Sequence, residues 1–219
     1  MSDERLAGRC YLCGANPSSR DHVPPKVFLD TPYPENMFAV ECCKSCNESF
    51  SMDEEYVACL AEVLTCGSSD PEKITRTRIS KILTKSERLR SRFLEYGSGN
   101  VNIEYGRVIR VAEKVARGLW TFETSEPTYD LTVSAELWLG SHMFNTEYLW
   151  KHSTSSHAIL PEVGSRLTLT QEFKNGHMTR TDWKVIQPDQ FEYSVCVKRE
   201  YGVVRIQLGS CIAAEIKIC

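Results

Sequence analysis

Two Cys-x-x-Cys pairs constrain this chain more than any other feature. Cys10 and Cys13 form the first and Cys43 and Cys46 the second, with 29 residues between the pairs. Each such turn brings two thiolates onto one ion while backbone N–H groups face the sulfurs. Two turns complete a closed tetrahedral set, which suits a structural Zn²⁺ and leaves no position open for reaction. Gly14, directly after Cys13, suits the tight turn. Cys42 stands next to Cys43 and could replace it, although the two-residue spacing to Cys46 favours Cys43. Between the pairs the chain is rich in turn-formers: Gly14, Asn16, Pro17, Pro24, Pro25, Pro32 and Pro34. A stretch like this cannot bury enough apolar surface alone, so a bound metal is expected to supply much of its stability.

Ten cysteines in 219 residues also raise the possibility of disulfides. The N-terminus is polar, no export signal is visible and no apolar run approaches the roughly 18–20 residues of a membrane span. The expected setting is therefore the cytosol, with no membrane association, where clustered thiols point to metal. The net charge of −3 argues against a generally basic nucleic-acid binder. The charge is uneven, however. Residues 1–66 carry 5 Lys+Arg against 11 Asp+Glu, whereas residues 70–95 carry 8 against 4. Phosphate contacts are therefore expected in the second segment, with Arg76, Arg78, Lys81 and Lys85 as candidates, and Lys26 of the first segment is a further one.

Beyond the cysteines the pattern is helical from Asp53, with Tyr56, Leu60, Val63 and Leu64 at helical spacing. Asp70-Pro71-Glu72 reads as the start of a second helix running to about Tyr96. Gly97-Ser98-Gly99-Asn100 is the clearest break. A third helix is expected at about 106–122, on the stripe Val108, Val111, Ala112, Val115 and Leu119. After Pro127 the period becomes two, at Leu131–Leu139, Leu167 and Leu169, Trp183 and Val185, Phe191–Val197, Val204–Leu208 and 211–218. Asn175-Gly176 is a hairpin signal. The expected fold class is α+β. It comprises an N-terminal zinc module (1–66), a basic helical connector (67–99) and a domain with an antiparallel sheet and a packed helix (100–219).

Asp21-His22 lies inside the metal-clamped loop and ahead of two prolines, and His22 is the only histidine among the first 141 residues. A neutral imidazole can take a proton from water near pH 7. Asp21 and Asn47 are hard oxygen donors of the kind Mg²⁺ accepts. His142, His152, His157 and His177 show no metal-ligand spacing, and Trp120, Trp138, Trp150 and Trp183 fit packing better than base stacking.

Cys-x-x-Cys-Gly, Asp-His-Val-x-Pro, a Glu-Asn pair and Cys-x-x-Cys-Asn together resemble the HNH endonuclease superfamily with a zinc-bound ββα-metal core of treble-clef type. The resemblance covers roughly residues 9–56, about a quarter of the chain. It implies phosphodiester hydrolysis in DNA, with His22 as general base and Asn36 positioning it. Asp21 and Asn47 would hold a catalytic Mg²⁺ or Mn²⁺. It further implies a strand on either side of the Asp-His pair, a loop carrying Asn36 and a helix starting near Asn47. A homodimer or a larger defence-type complex is the expected setting. The stretch Glu48-Ser49-Phe50-Ser51 departs from the family pattern, in which a basic residue often follows the final Cys-Asn, and residues 48–55 are acidic for a surface facing phosphates. Two other readings stay open. One is a non-catalytic zinc module that binds nucleic acid or a protein; the other is a redox-sensitive protein whose thiolates are exposed on zinc loss.

Overall fold

Period-two alternation places five strands of the C-terminal half in one antiparallel sheet. The structure, a computed structural model, describes residues 8–35, 37–93, 101–140, 170–174, 177–181, 183–197 and 200–219. The strands are β3 (Val133–Leu139), β6 (Trp183–Gln187), β7 (Phe191–Val197), β8 (Gly202–Leu208) and β9 (Ile212–Ile218), in the order β3-β9-β8-β7-β6. Register aligns Tyr193, Ile206, Ala214 and Leu137 in one row and Val195, Val204, Ile216 and Ala135 in the next. Both rows belong to the face covered by helix α5 (Tyr105–Thr124), which reaches β3, β7, β8 and β9. The expected α+β layering of a helix on an antiparallel sheet is what forms. A separate hairpin, β4 (Thr170–Lys174) and β5 (His177–Thr181), flanks the expected Asn175-Gly176 turn. The turn itself, Leu167, Leu169, Trp150 and the first three C-terminal histidines lie outside the described residues.

The N-terminal half is a short hairpin followed by helices. Strand β1 (Ser19–His22) pairs antiparallel with β2 (Ala39–Cys42), and α1 (Lys44–Ser49) and α2 (Ser51–Cys66) follow. Asp21 and His22 therefore sit on the first strand itself, not between two strands. Asp53 and Glu54 occupy the first turn of α2, and Gly67 ends it in a left-handed conformation, φ 65°.

The single long helix expected from Asp70 does not form. Asp70 instead closes a turn, with Oδ1 accepting from Glu72 N–H. The helical segment divides into α3 (Thr77–Lys85) and α4 (Glu87–Ser91). The late start of α3 is set by Glu62, whose Oε1 accepts from the backbone N–H groups of Thr75 and Arg76 and from the Thr75 hydroxyl. Those donors are lost to a helix starting at residue 70. Ser86 divides α3 from α4 and caps α4 by accepting from Leu89 N–H. Residues 94–100, with the expected break, lie outside the described residues.

One apolar core runs through all three segments. Phe28 stacks on Phe191 and Phe38 on Phe122, which joins the zinc-side loops to the sheet and to α5. At Gly118 of α5 an added Cβ would lie 2.6 Å from Val23 Cγ2, so the absence of a side chain lets the helix lie directly on the residue that follows His22. Among the described residues no helix is long and apolar enough to cross a membrane.

Candidate metal centre and flanking charge cluster

The four paired cysteines converge. Cys10, Cys13, Cys43 and Cys46 place their sulfurs within 4.8 Å of one another, at the base of the β1–β2 hairpin and the start of α1. Tetrahedral Zn²⁺ with sulfur ligands at about 2.3 Å requires neighbouring sulfurs roughly 3.8 Å apart. Cys13 Sγ and Cys43 Sγ are 3.7 Å apart. The first knuckle closes through Gly14 N–H to Cys10 C=O (2.8 Å) and Cys10 N–H to Ala15 C=O (2.7 Å). Gly14 has φ +72°, and the Tyr129 ring packs where a side chain would begin. In the second knuckle Cys43 is the N-cap of α1 and its sulfur accepts from Cys46 N–H. The Ser45 hydroxyl and that bond hold the Cys43 thiol down to about 6, whereas burial and the neighbouring sulfur push Cys46 up. Four sulfurs this close are positioned to take one metal ion, and the donor set fits a closed structural Zn²⁺.

Cys42 stands apart from the four-sulfur group. Its side chain is buried, with Sγ 3.8 Å from Cys10 Sγ, and burial pushes its thiol well up. Strand alternation separates Cys42 from Cys43 and directs it into the core, where it packs as a small apolar side chain.

Asp21 and His22 diverge for the same reason, because successive residues of a strand point to opposite faces. Asp21 is 4% exposed and turned inward. Its Oδ1 and Oδ2 lie 2.9 and 2.7 Å from Lys114 Nζ, and Oδ2 accepts from Tyr11 Oη at 2.6 Å. Lys114, on α5, is 2% exposed and also pairs with Glu54 of α2. Burial pushes the Lys114 ammonium towards losing its proton. Asp21 and Glu54 outweigh that and leave it above its ordinary value. Burial raises the Tyr11 phenol, with Asp21 beside it adding to the effect, and burial also raises Glu54 despite Lys114. The strand and two helices thus meet on one ammonium, and the knuckle joins them through Asp21.

His22 faces the other way and is half-buried. Burial, then Lys26 and Arg20, hold it below its ordinary pKa, with Asp21 acting in the opposite sense. Asn47, on α1, donates from Nδ2 to Ser19 Oγ (3.3 Å) and Arg20 C=O (3.4 Å), fixing the helix to β1. Asn36 lies outside the described residues.

Of the cations expected to meet phosphate, Arg76 is the one the fold removes from the surface. It is buried, and Nε donates to Asp30 Oδ1 at 2.8 Å. Arg78, Lys81 and Lys85 are exposed on α3, and Arg78 joins that helix to the loop of Lys26 by donating to Lys26 C=O (3.1 Å) and Tyr33 Oη (2.7 Å). The acidic stretch 48–55 also changes meaning. Asp53 takes Arg107 at 2.6 Å and Arg110 at 2.8 Å, and Glu54 takes Lys114, so two of its carboxylates are satisfied by α5.

Lys114, Glu54 and Tyr11 are the site residues the sequence reading did not single out. Arg107, Arg110, Lys114 and Arg117 recur on α5 at steps of three, four and three, beside the apolar stripe. That cationic stripe was the available signal. No protein-family profile, curated protein or solved structure matches the chain.

Proposed function

We propose that the chain hydrolyses phosphodiester bonds in DNA through an HNH-type module, with His22 as general base. The observation that carries this reading is the setting of His22 at the outward end of β1, held towards its neutral form with Arg20 and Lys26 close enough to act on it. A neutral imidazole can accept a proton from water, and exposed cations suit phosphate oxygens. In the hydrolytic step a water oxygen bonds to phosphorus and its proton passes to His22. The bond from phosphorus to the leaving sugar oxygen breaks with its electron pair on that oxygen, which takes a proton from solvent water, and His22 returns its own proton to solvent. Arg78, Lys81 and Lys85 extend the cationic surface from Lys26 and would position the backbone. Zn²⁺ at Cys10, Cys13, Cys43 and Cys46 would hold hairpin and helix together and take no part in the step.

The divalent ion implied at Asp21 and Asn47 does not fit this arrangement. Both Asp21 oxygens are engaged by Lys114, and one also by Tyr11, in a dry interior. No part of the step is routed through such an ion. The same observation favours a second reading, a zinc module that binds nucleic acid or a protein partner without cleaving it.

Zinc-loaded protein incubated with supercoiled plasmid, with and without Mg²⁺ or Mn²⁺, tests the two against each other. Nicking that disappears in His22→Ala supports hydrolysis. Nicking that persists in His22→Ala, or binding without nicking under every condition, leaves the non-catalytic reading. One module cuts one strand at a time, so linear product would point to a dimer or to two visits.

A further inference from the structure

We propose that the cation serving Asp21 is built into the chain: the Lys114 ammonium occupies the place at Asp21 that a nuclease of this type is expected to give to a metal ion, and Asp21 is a positioning residue. The role assigned rests on the hydrolase reading, whereas the charge cluster itself does not. Three observations converge. Lys114 Nζ is within hydrogen-bonding distance of both Asp21 oxygens, at 2.9 and 2.7 Å. Tyr11 Oη takes a further site on Oδ2 at 2.6 Å. The Lys114 and Asp21 side chains are 1% and 6% exposed. Mg²⁺ and Mn²⁺ are hard ions, and Mg²⁺ in particular sheds its waters reluctantly and commonly keeps several of them. The pocket around Asp21 is filled by an aromatic ring, an alkyl ammonium stem and a second carboxylate. An entering ion would also have to expel an ammonium that two carboxylates hold, and strand that ammonium in the interior.

The geometry gives Asp21 a different task. It fixes β1 to α5 and α2 through Lys114, and the residue next to it is His22. With Gly118 lying on Val23, α5 grips the strand on either side of His22. The imidazole is thereby held on a short strand that the hairpin alone would leave loose. Positive charge for a phosphate then comes from Arg20, Lys26 and Arg78.

Electron paramagnetic resonance of added Mn²⁺ tests this without reference to cleavage, since Zn²⁺ is silent in that experiment. Wild-type zinc-loaded protein and Asp21→Asn are expected to leave the free-ion Mn²⁺ signal equally intact. Lys114→Ala is expected to bind Mn²⁺, with loss of the free-ion signal, and the double variant Lys114→Ala/Asp21→Asn to lose that binding again. Mn²⁺ bound by wild type and released by Asp21→Asn would overturn the proposal, as would Lys114→Ala that folds and gains no ion. Should Lys114→Ala not fold, wild type against Asp21→Asn decides. Failure of plasmid nicking would bear on the hydrolase reading alone, since the Mn²⁺ measurement reports only what occupies Asp21.

Discussion

Helix α5 carries two Lys–carboxylate–Tyr sets, one at its middle and one in its last turn, and the two are built differently. Towards the four-cysteine module, Lys114 of the helix meets Asp21 and Glu54, and Tyr11 donates to Asp21. Towards the sheet, Glu123 of the helix meets Lys184 at 2.6 Å and the Tyr193 hydroxyl. The Lys114 side chain is 1% exposed and that of Lys184 28%. The sheet end adds its ion pair to rows of alternating apolar residues that already specify register. The zinc end has a turn-rich hairpin of two four-residue strands and little apolar alternation. There, the four-cysteine cluster and buried charge stand where apolar register stands in the sheet. The contrast teaches that one helix can be seated by apolar area on the sheet and, at its middle, by buried charge on the hairpin.

The largest effect expected from breaking this contrast is loss of zinc. Structural zinc sites contribute on the order of 10 kcal/mol to folding. Cys43→Ser is expected to lose zinc by elemental analysis and to deprotect the amides of β1 and β2 in hydrogen exchange, while β7–β9 keep the slower exchange. Cys42→Ser is expected to retain full zinc. Next come the two lysines. Removing one partner of a fully buried pair costs about 3–5 kcal/mol, because the remaining carboxylates stay charged and unmatched. Lys114→Met leaves two carboxylates, Asp21 and Glu54, without their cation and should therefore lower the denaturant midpoint more than Lys184→Met, which leaves only the buried Glu123.

Alkaline pH sharpens the comparison further. Lys114 and Tyr11 both have raised values in the folded protein, so the folded state keeps protons that the unfolded chain gives up. Their contribution is complete below the unfolded values near 10 and is lost as pH rises through the folded ones. Each retained proton costs about 1.4 kcal/mol per pH unit in that window. Tyr11→Phe should flatten the alkaline fall in chemical stability measured between about pH 10 and 11. The smallest effect on stability belongs to α3. Lys81→Glu with Lys85→Glu should stay within roughly 0.5 kcal/mol of wild type. If the phosphate reading holds, the pair should nevertheless weaken DNA binding in a gel shift and reduce its salt dependence by about two contacts' worth of slope.

Legibility in the sequence followed the range of the interactions. Four cysteines at two-residue spacing, the stripe of α5 and the alternation of β7–β9 are written in neighbouring residues, and each appears in the structure. The late start of the helix after Asp70 was not legible, because it depends on Glu62 capturing two backbone donors from outside that segment. The acidic run at 48–55 reads as exposed charge in sequence and becomes half of an interface once α5 arrives. Asp21 is the sharpest case. Its residue type and its neighbour His22 suggest a metal ligand, and only a lysine 93 positions away shows where the carboxylate points.

Lys114 and Glu123 stand nine residues apart on α5, a separation of roughly 13–14 Å at 1.5 Å per residue. A helix pinned at both of these points behaves as a strut whose length is not adjustable. Trp120 lies between the pins, its indole pressed on Gly202 of the sheet. Sliding the hairpin along its own axis therefore has to move that indole, so the emission of Trp120 in a single-tryptophan variant is a strain gauge for the zinc loop.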